Sequence, residues 1–174
     1  MASHTLVREY VFKPKPGISN NIARLPHQDT ISKKLTKNFD RLNIMYQNVR
    51  GLNTKMTKLF SNSFDFDHHV IIFTETWLKD NVFDSELLCN KYQIFRFNRN
   101  DRNGGGVLIA ISCLFQSEVI SHDNSLSIEF ISVVIKLKYK RIFITCSYIP
   151  PNSDETVYLK HAEAIKTTTL LADT

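Results

Sequence analysis

The sequence has 174 residues, of which 43% are apolar and 22% charged, enough apolar content for one globular domain with a real core. The formal net charge is +5, but residues 1–40 carry seven Lys and Arg against three Asp and Glu, whereas residues 41–174 carry fifteen against fourteen. Composition alone therefore does not establish a nucleic-acid partner.

The sequence also gives no indication of a membrane span, a secretory signal, a disulfide or a zinc site. No segment reaches the roughly 18 consecutive apolar residues of a membrane span, and MASHTLVREYVF lacks the apolar core of a secretory signal. We expect a soluble, intracellular protein, nuclear or cytoplasmic, with no membrane partner. Three widely spaced cysteines predict neither a disulfide nor a zinc site, and Cys113 and Cys146 lie in apolar runs that favour buried thiols.

Residues 1–40 contain three of the five prolines and no sustained apolar period. This stretch is predicted to be a basic, disordered leader, and the domain is predicted to span residues 41–174. RLNIMYQN then alternates as a strand does, RGLNTKMTKLF has apolar residues at helical spacing, and HHVIIFTE is a short buried run. A strand, helix and strand in this order favour parallel pairing of the two strands.

Five further strand-like runs follow: YQIFRF, VLIAIS, SEVIS, SIEFISVVIKL and RIFITCSYI. The three consecutive glycines 104–106 and the polar KLKYKR predict bends between them. Pro150 and Pro151 end the last strand, and DETVYLKHAEAIKTTTLL predicts a helix with an acidic N-terminus. The pattern indicates an α/β fold with one twisted sheet and helices outside it.

Glu75 ends the apolar strand HHVIIFTE, where open α/β sheets place ligand-binding and catalytic groups. Mg²⁺ takes oxygen ligands and keeps several waters, so one or two carboxylates with a substrate phosphate can hold it. The alternative is a strand-end Glu paired with a surface Lys or Arg.

Asn48 ends the first strand in the matching position. Parallel pairing would bring Asn48 and Glu75 side by side at one sheet edge. The alternative is that Asn48 caps the following helix, since Asn is a favoured N-cap residue.

Five segments occur in an order that resembles one family: MYQNVRGLNTK, IIFTETWL, RNDRNGGGVLIA, IEFISVVIKL and YIPP. The resemblance is to the endonuclease domain of LINE-type (non-LTR) retrotransposons. These domains fall in the endonuclease/exonuclease/phosphatase superfamily, related to apurinic/apyrimidinic endonucleases. The resemblance extends from about residue 42 to the end of the chain. It implies the first part of a four-layer, deoxyribonuclease-I-like α/β sandwich and Mg²⁺-dependent hydrolysis of DNA phosphodiester bonds, with Mn²⁺ as an alternative ion.

The resemblance also implies roles for single residues. Asn48 and Glu75 resemble the family's metal-site residues, with Asn48 also near the substrate, and Tyr148 matches the active-site Tyr that contacts the scissile phosphate. Arg102 and glycines 104–106 resemble a hairpin near the DNA-binding face. Without the family, Tyr148 could simply pack at a strand end, and Arg102 could pair with Asp101 or another nearby acid.

The family's later motifs, of Gly-Asp-Phe-Asn and Ser-Asp-His type, do not occur in this sequence. Since these groups activate water and orient the phosphate, we expect a partial domain with little or no nuclease activity on its own. We further expect the second sheet to be mostly missing. The first sheet would then expose an apolar face open to self-association or a partner.

Two other functions are compatible with these residues. One is a non-catalytic module that binds nucleic acid or protein through the exposed sheet and the leader lysines 13, 15, 33, 34 and 37. The other keeps the superfamily but changes the substrate to an RNA 3′ end or an inositol phosphate, because loops around a shared metal site set specificity.

Overall fold

The structure is a computed structural model that describes residues 8–12, 41–99, 104–121 and 128–172. Strand β1 (Arg8–Phe12) pairs antiparallel with β2 (Leu42–Asn48). The prediction of a disordered leader is therefore wrong for these five residues, because β1 supplies backbone partners to the otherwise unpaired edge of β2. The rest of the predicted leader, including its lysines, lies outside the described residues.

A five-stranded sheet carries the first half of the domain. Its other strands are β3 (Val70–Thr74), β4 (Tyr92–Phe97) and β5 (Val107–Ser112), in the order β1-β2-β3-β5-β4. Helix α1 (Met56–Ser63) connects β2 to β3, which pair in parallel as predicted. A single 3₁₀ turn (Asp84–Glu86) precedes β4, and β4 and β5 form the predicted hairpin around the glycines.

A second sheet contains three antiparallel strands, β6 (Gln116–Ser121), β7 (Glu129–Lys136) and β8 (Arg141–Tyr148). It packs face to face on the first sheet through the buried cluster Leu42, Val70, Val107, Ile109, Ile111, Phe115, Ile131, Val133, Ile135, Ile144 and Cys146. Two predictions are thereby corrected. The described strands form two sheets instead of one, and the inner face of the first sheet is covered instead of exposed.

The two outer faces carry the helices. Alternate residues of β3 and β5, among them Phe73 and Leu108, point away from the second sheet and pack with Leu52, while Met56 and Leu59 of α1 pack against this cluster. On the opposite side lies α2 (Glu155–Ala172), whose His161 contacts the Phe130 ring and hydrogen-bonds to Ser147. The order helix, sheet, sheet, helix confirms the predicted four-layer α/β architecture.

The three cysteines are free thiols, with Cys89 and Cys146 buried and Cys113 exposed. The expectation that Cys113 is buried is wrong because β5 ends at Ser112 and the chain turns outward there. No helix in the described part of the chain is long and apolar enough to cross a membrane.

Candidate metal and phosphate site

Several strand ends meet at one end of the two sheets. In the parallel pair, Asn48 of β2 lies opposite Thr74 of β3, and Thr74 lies opposite Val107, where β5 begins. In the second sheet, Glu129 at the start of β7 lies opposite Tyr148 at the end of β8. The loops that leave these strands therefore share one end of the molecule, and the three motifs containing Asn48, Glu75 and Tyr148 converge there.

Asn48 contacts Glu75 directly, as the predicted pairing requires. Its Nδ2 donates a hydrogen bond of 2.8 Å to Glu75 Oε1, and its Oδ1 accepts one of 3.2 Å from the backbone N–H of Arg50. The N-cap of α1 is Lys55, seven positions further along. Asn48 is thus not the helix cap; its amide orients the Glu75 carboxylate and closes the turn after β2.

Glu75 has a left-handed backbone conformation, with φ of 55°. Such a conformation costs a non-glycine residue about 1–3 kcal/mol and persists only where neighbouring contacts impose it. Here the carbonyl of Glu75 accepts a 2.8 Å hydrogen bond from Gly51 N–H, and the carbonyl of Thr76 accepts one of 2.9 Å from Leu52 N–H. The turn that presents the carboxylate is therefore fixed by the loop after β2.

Tyr148 completes the group. Burial raises the pKa of its phenol above the ordinary value of 10.0, and the negative charge of Glu75, together with a hydrogen bond to that carboxylate, raises it further. The same pKa is raised by Glu129 and lowered by Arg99, so these two charges also lie close by. The Glu75 carboxylate consequently accepts a hydrogen bond from Asn48 and lies close enough to the Tyr148 hydroxyl to raise its pKa.

These residues suit a hydrated magnesium ion. All of the side chains offer hard oxygen atoms, and one carboxylate with retained waters and a substrate phosphate is a common way to hold Mg²⁺. Within the described ranges, no group of three or more His, Cys, Asp and Glu gathers as a metal cluster. No described Lys or Arg forms an ion pair with Glu75, so the alternative of a surface salt bridge is not observed in that part of the chain.

Three residues of this region were not predicted from the sequence. Glu129 is buried at the start of β7 and forms an ion pair with Arg99. Trp77, also left-handed with φ of 55°, is 43% exposed and covers Gly51. A charged residue opening an apolar strand, as in IEFISVV, is the signal that could have identified Glu129, because burying a carboxylate requires a partner.

The remaining candidate, Arg102, lies outside the described residues. The glycines next to it are described, and Gly104, Gly105 and Gly106 have φ of 89°, 71° and 85°. The loop therefore reaches β5 through three consecutive left-handed residues, which glycine adopts without steric cost.

Fold and site together define a four-layer α/β protein with a polar, carboxylate-centred site at one end of its two sheets. The chain is similar to the solved endonuclease domain of TRAS1, a telomere-specific non-LTR retrotransposon, with 14% sequence identity and a TM-score of 0.47. The match covers 70% of this chain and 52% of the other, so the chain spans about half of that domain's length. No protein-family profile and no curated protein matches the chain.

Proposed function

We propose that this chain is part of a Mg²⁺-dependent DNA endonuclease domain of the LINE-type retrotransposon family. The observation that carries the proposal is the convergence of Asn48, Glu75 and Tyr148. These residues come from three motifs spread over about one hundred positions, yet Asn48 donates a hydrogen bond to the Glu75 carboxylate, and the charge of the same carboxylate raises the pKa of Tyr148. DNA as the substrate follows from the motif resemblance.

Each residue has a defined part in this proposal. Glu75 would hold the ion, and Asn48 would keep the carboxylate oriented through its amide. Tyr148 would offer its hydroxyl to the phosphate beside the Glu75 carboxylate. When bound, Mg²⁺ or Mn²⁺ supplies Lewis-acid stabilisation of the negative charge that grows on a phosphodiester during hydrolysis.

Cleavage by these 174 residues alone is expected to be slow or undetectable. The sequence contains no motif of Gly-Asp-Phe-Asn or Ser-Asp-His type, and loss of a general base alone typically slows such a reaction by about 10²- to 10⁴-fold. A nuclease of retrotransposon origin would be located in the nucleus or the cytoplasm.

Calorimetric titration with Mg²⁺ tests the proposal. Wild type should bind the ion, and Glu75→Gln should lose this binding, because the amide keeps the shape of the side chain but not its charge. Glu118→Gln is the matched control, since Glu118 of β6 is a 56% exposed carboxylate paired with Lys136 of β7. Equal Mg²⁺ binding by wild type and Glu75→Gln would contradict the proposal.

A non-catalytic nucleic-acid-binding module is the second candidate, favoured by the missing motifs. The sheet face proposed for it is covered by the second sheet, so self-association or partner binding through that face has no support. In this candidate, the five lysines of the leader would bind the nucleic acid. Salt-dependent retention of duplex DNA by wild type, lost when these lysines are changed to Gln, would support this candidate, and no retention at low salt would exclude it.

A further inference from the structure

A buried ion pair lies beside the site, at the same end of the two sheets. The side chains of Glu129 and Arg99 are only 3% and 10% exposed and contact each other through Glu129 Oε1 and Arg99 Nη2. The other Glu129 oxygen accepts a hydrogen bond from the backbone N–H of Gly106. Because an apolar pair in such a place is often as stable as an ion pair, stability alone does not explain these charges.

The glycine that Glu129 binds is connected to the Glu75 turn. The carbonyl of Gly106 accepts a 3.2 Å hydrogen bond from Thr76 N–H, and the carbonyl of Gly105 accepts one of 2.9 Å from Trp77 N–H. The two residues that follow Glu75 are therefore hydrogen-bonded to two adjacent glycines, and the second of these, Gly106, donates its own N–H to Glu129.

Steric contacts make this connection tight. A Cβ atom on Gly105 would overlap the Glu129 carboxylate, and a Cβ atom on Gly106 would overlap Thr76 Oγ1. The glycine backbone thus fills the space between Glu129 on the second sheet and Thr76 on the first. A displacement of Glu129 would be transmitted to the Glu75 turn, since the tightly packed interior leaves no gap to absorb it.

We propose that Glu129 is a positioning residue for the metal-binding carboxylate of Glu75, acting through the backbone of Gly105 and Gly106. This inference rests on the proposed function, because it assumes that Glu75 holds the ion. In this role Glu129 would act without contacting the ion. The hydrogen bond from Gly106 N–H to Glu129 fixes the glycine loop. The loop in turn fixes the left-handed turn at Glu75 through its hydrogen bonds to Thr76 and Trp77.

Two double variants separate positioning from plain stabilisation. Both Arg99→Gln/Glu129→Gln and Arg99→Met/Glu129→Met remove the buried charges, but only the first keeps an acceptor for Gly106 N–H. The Gln pair should bind Mg²⁺ nearly as wild type does, whereas the Met pair should bind about 10- to 100-fold more weakly, as is typical when a group that orients a metal ligand is lost. A merely structural role would change the unfolding midpoints and leave the Mg²⁺ affinity of both variants unchanged.

Glu129→Asp provides the same test if the Met pair does not fold. The shorter side chain keeps its charge but draws back from Gly106, so Mg²⁺ affinity should fall. Wild-type affinity in the folded Met pair, or in Glu129→Asp, would overturn the positioning role while Glu75→Gln still abolished binding. Unchanged Mg²⁺ binding in Glu75→Gln would instead overturn the proposed function, and the positioning role with it.

Discussion

Two regions of the molecule are stabilised in different ways. One is the apolar interior between the two sheets, and the other is the loop end, where Asn48, Glu75, Glu129 and Tyr148 lie. In the interior, apolar side chains alternate along regular strands and pack without polar partners. At the loop end, the loops after β2 and β3 contain left-handed residues, namely Arg50, Glu75 and Trp77. The same end has buried polar groups such as Thr76 and Glu129. The interior therefore depends on volume and hydrophobicity, whereas the loop end depends on particular residues at particular positions.

The largest effect is expected for a core truncation. Phe73 is 2% exposed on the outer face of the five-stranded sheet, so Phe73→Ala should lower the free energy of unfolding by about 3–5 kcal/mol through lost burial and a cavity. Phe64 at the end of α1 is 58% exposed, and its edge contact with Phe60 limits the cost of Phe64→Ala to about 1 kcal/mol. Denaturant unfolding measures both; similar losses would show that the core assignment is wrong.

Glycine substitutions test the loop end. Gly106→Ala should lower the free energy of unfolding by about 1–3 kcal/mol from backbone strain alone, and further because the new methyl overlaps Thr76 Oγ1. Gly104 is also left-handed, but its nearest neighbour, Trp77 Nε1, would be 3.9 Å from the added Cβ. Gly104→Ala should therefore cost less than Gly106→Ala in denaturant unfolding, and equal costs would contradict the close packing of the loop.

The buried tyrosine Tyr92 makes the stability of the fold depend on pH in the alkaline range. Burial raises the pKa of Tyr92 from 10.0 to about 12, and its hydroxyl donates a 2.9 Å hydrogen bond to the carbonyl of His68. The raised pKa means that the folded state holds the phenol proton more tightly than the unfolded state. This stabilisation is complete below pH 10 and is lost as the pH rises toward about 12.

Tyr92→Phe removes this contribution at every pH. The variant should be less stable than wild type at pH 8, because it lacks the hydrogen bond, and the two stability curves should converge between pH 10 and about 12. Urea unfolding across this range provides the measurement. Parallel curves up to pH 12 would show that Tyr92 ionises equally readily in the folded and unfolded states.

The smallest effect concerns Tyr148 at the loop end. Its pKa is raised by burial and by Glu75, so Glu75→Gln should lower it toward 10.0 without abolishing the part due to burial. NMR titration of ring-labelled tyrosine follows this residue individually. An unchanged Tyr148 pKa in Glu75→Gln would mean that the two side chains do not interact.

The regular part of the fold was predictable because strands leave a period-two pattern in the sequence. Every strand from β2 to β8 corresponds to an apolar or alternating run, and the parallel pairing of β2 and β3 followed from the helix between them. Which strands share a sheet was not predictable, because β6 follows β5 after a short turn yet belongs to the other sheet. β1 was missed because its five residues lie in a stretch with no sustained apolar pattern.

The candidate site was only partly predictable for a related reason. Asn48 and Glu75 were found because Asn48 ends a recognisable strand and Glu75 directly follows another, and parallel pairing brings these strand ends together. Glu129 was missed because its position in the site is evident only from its contacts with Arg99 and Gly106, which are thirty and twenty-three positions away in the sequence. The left-handed turn at Glu75 leaves no sequence signal, since no glycine marks it.

Paramagnetic mapping with Mn²⁺ is the most direct test of the central claim that the loop end is a metal site. In ¹⁵N-labelled protein, low Mn²⁺ should broaden the amide resonances around Asn48, Glu75 and Tyr148 first, and excess Mg²⁺ should reverse this. Glu75→Gln should lose the selective broadening, while Glu118→Gln should retain it. Broadening centred elsewhere, or unchanged in Glu75→Gln, would contradict the account.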